Sequence, residues 1–577
     1  MTYRWVYPEP LKEETLSALQ AELNIPREIA RLLAHRNITQ FETARSFFRP
    51  DVEDLYDPFL MKDMEAAATR LSSAIRNREK VVIYGDYDVD GTTAVSILYL
   101  FLKSFGLQVD YYIPHRFKEG YGINQDGIRY SLDKKADLIV SVDCGITAVE
   151  EAAYVKEQGM DLIICDHHTV GDQLPDAVAV LDPKRPDCSY PFDGLSGAGV
   201  GFKLVQATTQ KLGLSAAITD PYLDLVAISI ASDIVPIVDE NRILMRRGLE
   251  QINTRPRTGI KALLKLINSR PGSVSTTQIV FSIGPRINAA GRMGDATTAV
   301  ELLISDNETS AERYARQLEE INLRRRDTDT ETMNQAVEML EQKHDLKEMS
   351  AMVLHHPEWH LGVIGIVASR LVDAHYRPAI MLSTVEGKIK GSARSIKGFN
   401  IYDALKECED LLEQYGGHEF AAGLTMDQEN LEEFRTRMNS IACRMLAEND
   451  FQPELEISAD LELSRIDRKF WKLLTQFEPF GPGNPRPVFV SRDVCIEGVP
   501  SIVGNGHLKM RVRQNGSAVF DAIGFNMHGY EPNLRNCQNE KVDVAYVLEE
   551  NFWNGKRTIQ MRLKDIHVEG GKVKREK

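Results

Sequence analysis

Three aspartates at alternate positions, Asp86, Asp88 and Asp90, close the apolar run VVIYG within VVIYGDYDVDGTT. Carboxylates crowded in this way repel one another, and each favours its protonated form unless a cation sits among them. The pattern therefore points to a divalent metal ion. Gly91 lets the chain turn, and Thr92 and Thr93 are placed to cap the apolar stretch AVSILYLFL, so the segment reads as a strand, a metal-binding turn and a helix start. Two further runs repeat the theme. ADLIVSVDCG closes on Asp143 and Gly145, and MDLIICDHH closes on Asp166, His167 and His168. A fourth run, YLDLVAISIASDIVP, ends on Asp233 with Pro236 just beyond and is read as another acidic strand end. Carboxylate oxygen together with imidazole nitrogen suits Mn or Mg and tolerates Zn or Co. Cys144 and Cys165 flank these motifs and are read as small packing residues rather than ligands.

The elements that must position these groups follow from the same segments. Continuous apolar runs bounded by Gly or polar residues fit parallel strands buried on both faces. Between two of them, ITAVEEAAYVKEQG has helical periodicity and ends at Gly159, giving a β-α-β unit. Ligands in such sheets gather at the carboxyl ends of the strands, where these side chains fall.

The sequence divides as follows. Residues 1–55 form a helical lead-in, broken at Arg49-Pro50 and expected to pack on the catalytic sheet. Residues 56–300 carry the acidic motifs in α/β alternation, with GPRINAAGRMG read as a loop. A connecting segment, 301–348, holds a long helix over 310–343 that has no Pro or Gly and no sustained apolar heptad. A second, smaller α/β domain spans 349–450. The Pro- and Gly-rich segment FEPFGPGNPRPVF then leads into about five short antiparallel strands within 451–570, with turns at Asn515-Gly516 and Asn554-Gly555. That pattern predicts an OB-type barrel, which binds single strands by stacking and a basic groove. Residues 571–577 are a basic tail.

At 577 residues the chain holds several domains, and its 43% hydrophobic and 27% charged content is ordinary for globular protein. The N-terminus shows no basic region followed by an apolar core, and AVSILYLFL is far short of the roughly 20 residues that span a bilayer. Seven scattered cysteines without a Cys-x-x-Cys pair indicate reduced thiols and a cytoplasmic location. The net charge of −15 runs against the basic footprint of a nucleic-acid-binding protein. Carboxylates that hold metal do not oppose a phosphate substrate, however, and basic residues can line one groove while acidic stretches such as EDLLEQ cover the outside.

DYDVDG, SVDCG, DHH and ASDIVP follow the motif order of the DHH phosphoesterase superfamily. With PHRFKEGYG, GPRINAAGRMG, HPEWHLGVIGIVASRL, GSARS and GGH, the chain resembles the RecJ family of bacterial single-strand-specific exonucleases from about residue 55 to 567. The resemblance implies DHH- and DHHA1-type α/β domains flanking a cleft, joined by a long helix and followed by the barrel. It implies a 5′→3′ exonuclease that degrades single-stranded DNA processively to 5′-mononucleotides in DNA repair and recombination, using two Mn or Mg ions to activate water. Carried over, Asp143 bridges the ions and His167, Asp90 and Asp233 complete one site. Asp88 is the main further ligand of the other, and Asp86 either braces the turn or binds through water. His168 contacts the phosphate or leaving group and counts with Asp143 and His167 among the catalytic residues, while Asp166 orients an imidazole. Arg116, Ser392 and Arg394, with the Gly391 backbone, resemble the pocket for a 5′-terminal phosphate. Tyr121 stacks on a base, Arg286 and Arg292 clamp the scissile phosphate, and His418 beside Gly416 and Gly417 approaches phosphate closely. His355, His356 and His360 lie outside the matched metal motifs.

A monomer is expected, with single-stranded DNA, single-strand-binding protein and a RecQ-type helicase as partners. Compared with some relatives the sequence is read as lacking a large domain after the barrel, so contacts with helicase or single-strand-binding protein through such a domain are not part of the expectation. Two rival readings are a small-substrate phosphoesterase of the same superfamily, acting on short oligonucleotides or cyclic dinucleotides, and a non-catalytic DNA-binding scaffold. The extra lead-in, helix and barrel disfavour the first, and the full set of acidic positions disfavours the second.

Overall fold

The computed structural model describes residues 3–342, 349–535, 541–553 and 556–568. The apolar runs of the first α/β domain form five parallel strands: β1 (Val81–Gly85), β2 (Val109–Tyr112), β3 (Leu138–Val142), β4 (Asp161–Cys165) and β5 (Ala179–Leu181). Their order is β2-β1-β3-β4-β5. The chain leaves β1 toward one edge and returns to build toward the other, so a crevice opens at the carboxyl ends of β1 and β3. Strands β1 and β3 are buried along their whole length because helices cover both faces. Three of these helices shape the crevice: α1 (Val89–Ser104), α2 (Gly197–Lys211) and α3 (Leu223–Ser232).

Three local expectations are corrected. YLDLVAISIA is helix α3, so Asp233 sits at a helix C-terminus, not at a strand end. A short apolar run buried on all sides satisfies either period, and here packing against α1 and its neighbours selects the helix. Asp88, not Thr92 or Thr93, caps α1, accepting from Gly91 N–H at 3.0 Å. The threonines lie inside the helix and turn their hydroxyls back on backbone carbonyls of the preceding turn. GPRINAAGRM is not a loop but helix α4 (Gly284–Met293), begun by a Pro in its first turn.

The long helix α5 (Glu308–Gln342) runs for 35 residues, about 52 Å at 1.5 Å per residue. Its stripe of Ala311, Ala315 and Leu318 enters the core of the first domain, and Ala336 and Leu340 enter that of the second. The second domain contains β6 (Met352–His355), helix α6 (Leu361–His375), β7 (Ala379–Val385), β8 (Lys388–Arg394), β9 (Gln414–His418) and β10 (Ala421–Asp427). The strand order is β9-β10-β8-β7-β6, with only β6 and β7 parallel.

The C-terminal strands form an OB-type barrel. Phe489–Ile496 pairs with Lys541–Trp553 on one side and with His507–Arg513 on the other, which closes the sheet. Asn515-Gly516 makes a turn as expected, whereas Asn554-Gly555 and the basic tail lie outside the described residues. The lead-in does not pack on the catalytic sheet. Its apolar stripe, including Leu19, Ile29, Leu32 and Leu33, shares one core with Phe470, Phe489 and Tyr546 of the barrel. The N-terminal strand Arg4–Val6 adds to this by pairing in parallel with Glu454–Glu456. Helix periodicity fixes which face of the lead-in is apolar, but not which distant surface receives it. Among the described residues no helix is long and apolar enough to cross a membrane.

Candidate metal centre and the cleft beside it

The crevice between β1 and β3 gathers the acidic motifs. Asp90, in the first turn of α1, is buried and has both oxygens engaged. It accepts from the N–H groups of Gly197 at 2.6 Å and Ala198 at 2.8 Å, and from Ser229 Oγ at 2.7 Å. Those N–H groups are unpaired donors of the first turn of α2, so the positive end of that helix fixes the carboxylate. Asp143 follows β3 with φ +60°, an uncommon conformation for a non-glycine residue, and its N–H is held by Cys165 O at 2.9 Å. A Cβ at position 197 would lie 2.6 Å from Asp143 Cβ, so only glycine lets α2 approach this closely.

His167 stands at the centre. Its Nε2 is 3.2 Å from Asp143 Oδ1 and 3.6 Å from both Asp90 Oδ2 and Asp233 Oδ2. Three sets of ligand atoms converge: Asp90, His167 and Asp233; Asp86, Asp88 and Asp143; and Asp143, His167 and His168. Asp166 does not join them. Its Oδ1 accepts from His168 Nδ1 at 2.7 Å and from His167 N–H at 2.7 Å, and its Oδ2 accepts from Ile146 N–H at 2.9 Å. It is thus a brace that fixes the His168 ring and its tautomer.

The protein alone leaves this cluster unsatisfied. Asp86 Oδ1, Asp143 Oδ1 and both ring nitrogens of His167 are buried without a hydrogen-bond partner among the described residues. Burial, then neighbouring carboxylates, push Asp86 and Asp143 well above the ordinary carboxylate range. The same causes, led by burial and then Asp90, raise Asp233 to about 9. Burial lowers His167 below the usual imidazole value, leaving a neutral ring with a lone pair to offer. Orphaned oxygen and nitrogen donors around mutually repelling carboxylates fit divalent cations, and their sharing of Asp143 fits a pair.

Beside this centre a cleft of about 1010 Å³ opens between the two α/β domains. Among the described residues, Arg116, Arg292, Lys390 and Arg394 line it against a single acidic residue, Glu358. The conflict posed by the net charge is thereby resolved locally, since the cleft is basic although the protein is acidic. Arg116 lies over the Tyr87 ring, 5.0 Å from its centroid. Burial and then Arg116 lower Arg292 to about 10, and the same two causes lower Arg394. These guanidiniums remain charged at neutral pH and crowd one another, an arrangement suited to an anion. Arg394 donates to Ser392 Oγ at 3.0 Å, so these two side chains form one unit on β8. Gly416 and Gly417, which precede the exposed His418 in β9, also line the cleft.

One expected contact is placed differently. Arg286 is turned toward α5, ion-paired with Glu319 at 2.6 Å, and is not among the residues lining the cleft. Tyr121 lines the cleft with its ring half-exposed, and its hydroxyl donates to Asp143 O at 3.0 Å, which ties the ring to the metal centre. Sequence reasoning missed Gly197, Ala198 and Ser229, which hold Asp90, and Lys184, whose ammonium donates to the His167 carbonyl. The small-residue run SGAGVG before an apolar stretch was the available signal for α2. His360, outside the matched metal motifs, lines the cleft and packs edge-on against Phe117 of the other domain, with centroids 5.3 Å apart.

Three family profiles match in order along the chain. They are the N-terminal domain of the DHH family over residues 80–230, the DHHA1 domain over 347–442 and the RecJ OB domain over 457–565. The sequence is 39% identical over 568 residues to the single-stranded-DNA-specific exonuclease RecJ of Bacillus subtilis (strain 168), covering 98% of this chain and 71% of that one. It is also similar to the crystal structure of RecJ from Thermus thermophilus in complex with Mn²⁺, with a TM-score of 0.83 and 29% identity. That match covers 98% of this chain and 80% of the other. The Mg²⁺ complex of RecJ from that organism matches with a TM-score of 0.77 and 28% identity, over 98% and 78% of the two chains.

Proposed function

The chain belongs to the RecJ family of single-stranded-DNA-specific exonucleases, and on that premise we propose that it removes 5′-mononucleotides from the 5′ end of single-stranded DNA. The observation that carries this reading is His167 Nε2 standing within 3.6 Å of carboxylates from three separate elements, beside a basic cleft. Two Mn or Mg ions are the proposed cofactors. Asp90, His167 and Asp233 would hold one, Asp88 with Asp86 the other, and Asp143 both. Bound there, divalent ions supply the Lewis acidity that activates water and offsets phosphate charge.

The residues of the chain account for the remaining steps. Asp90, fixed by the α2 N-terminus and Ser229, gives the centre a rigid wall. Burial would lower His168, but the hydrogen bond and charge of Asp166 outweigh it and hold the ring above its usual pKa. With Nδ1 committed to Asp166, His168 Nε2 carries a proton toward the scissile phosphate or its leaving oxygen. Arg292 bears on the scissile phosphate. Arg116, Ser392 and Arg394 receive the 5′-terminal phosphate, Arg giving planar, charge-assisted recognition. Arg286 acts through Glu319 on the α4–α5 packing and not on the substrate.

Work in DNA repair and recombination, a cytoplasmic location, and association with single-strand-binding protein and a RecQ-type helicase are proposed from family membership alone. The direct test is digestion of single strands with a 5′ label in Mn²⁺. Release of labelled mononucleotide from the outset supports the reading. Cutting of circular single strands, or first release from the 3′ end, overturns it.

A further inference from the structure

The Pro- and Gly-rich turn that leads into the barrel has a place in this architecture that strand binding does not explain. Asp233 opens the segment Asp233–Val238, which leaves α3 and reaches the helix Asp239–Thr254. The segment is bent at both ends by left-handed residues, Ile234 at φ +61° and Asp239 at φ +48°. For the β-branched Ile234 this conformation is unfavourable and must be imposed by surrounding contacts.

Ile234 itself is exposed, and the segment beyond it is held by the turn at 481–484. Ile237 N–H donates to Pro482 O at 2.7 Å. A Cβ at Gly481 would lie 2.4 Å from Ile237 Cδ1 and 3.0 Å from its Cγ1, and one at Gly483 would lie 2.9 Å from Val238 Cγ1. The turn is itself rigid. Asn484 is buried, donates to Phe477 O and Pro479 O at 2.8 Å each, and accepts from Arg36 Nε at 2.7 Å. On the inner side, Asn241 Nδ2 donates to Pro236 O at 3.0 Å and to Gly194 O at 2.6 Å.

We propose that the 481–484 turn is a positioning element of the metal centre, pressing on Ile237 so that Asp233 is held at His167. The barrel then has a second role besides carrying DNA, since its docking completes the ion site. The proposal rests on the reading of Asp233 as a metal ligand.

The test measures Mn²⁺ affinity on the full-length protein from the electron paramagnetic resonance signal of free Mn²⁺, with circular dichroism confirming the fold. Gly481→Ala crowds Ile237 and is expected to weaken Mn²⁺ binding about fivefold or more. Ile237→Val in that background removes the Cδ1 atom and is expected to restore most of the loss, which general damage to the barrel would not allow. Should Gly481→Ala fail to fold, Ile237→Ala loosens the same contact without crowding it and is expected to weaken binding as well. Asp233→Asn is the control. If it binds Mn²⁺ like the unaltered protein, the ligand reading fails. If it loses affinity while folded Gly481→Ala and Ile237→Ala do not, the positioning role alone is overturned.

Discussion

Arg242 lies over the ring of Phe47, its guanidinium carbon 3.8 Å from the ring centroid, and so joins three distant parts of the chain. From the helix Asp239–Thr254 of the catalytic domain it donates to Phe47 O in the lead-in and to the carbonyls of Gln476, Phe477, Glu478 and Pro479 beside the barrel. Gln476 is the C-cap of the helix Arg468–Thr475, and a buried cation satisfies its carbonyl together with those of the turn that follows. Burial lowers Arg242 to about 9, which leaves it charged at neutral pH.

Arg242→Met is therefore expected to cost about 3 kcal/mol, because several buried carbonyls lose a charged donor together. Urea unfolding followed by circular dichroism measures this. A change below about 0.5 kcal/mol would show that the junction is held by apolar packing alone.

Asp143→Ala should abolish cleavage, by about a thousandfold or more, since the one carboxylate shared between ligand sets among the described residues is lost. Single-strand binding through the barrel should persist. Near-normal turnover measured with a fluorescent strand would sink the two-ion assignment.

In chelator the metal centre should destabilise the fold as pH rises. Asp233 titrates at about 9 when folded, far above the ordinary carboxylate, so the folded state holds the extra proton. Its contribution is present at low pH and is lost progressively from about pH 4 toward 9. Over pH 6 to about 9, Asp233→Asn should lose less melting temperature than the unaltered protein. Adding Mn²⁺ should reverse the loss only where Asp233 is present. Parallel melting curves for the two proteins would count against this.

A strand bearing a 5′ phosphate should be degraded faster than one with a 5′ hydroxyl. Arg394→Ala should erase most of that preference, a change of about ten- to a hundredfold for one charge-assisted contact. Steady-state rates on the two strands decide it, and an unchanged ratio would remove Arg394 from the phosphate pocket.

Strand binding should weaken steeply with salt despite the acidic whole. Four basic residues line the cleft, giving a slope of log affinity against log salt of about −3 or steeper. Fluorescence anisotropy across a salt series reads the slope. A flat response would favour a small-substrate phosphoesterase.

By itself the sequence determined the parallel sheet, the acidic crevice and the family. Long apolar runs with terminal Asp at 86, 143 and 166 have one economical arrangement, and their chemistry is local: carboxylates that cluster need a cation. What it left to the tertiary structure were the choices that depend on distant partners. Asp233 ends a helix because packing against α1, not a periodicity in YLDLVAISIA, decides the form of a run buried on all sides. The lead-in sits on the barrel, more than 400 residues away in sequence, because amphipathic helices specify a face and not its recipient. Arg286 and Arg292 have the same residue type in one helix, yet one faces Glu319 and the other the cleft, a difference of rotation about α4 that no motif encodes. The charge conflict dissolves for the same reason, since net charge sums over a surface while binding depends on where the basic groups are brought together.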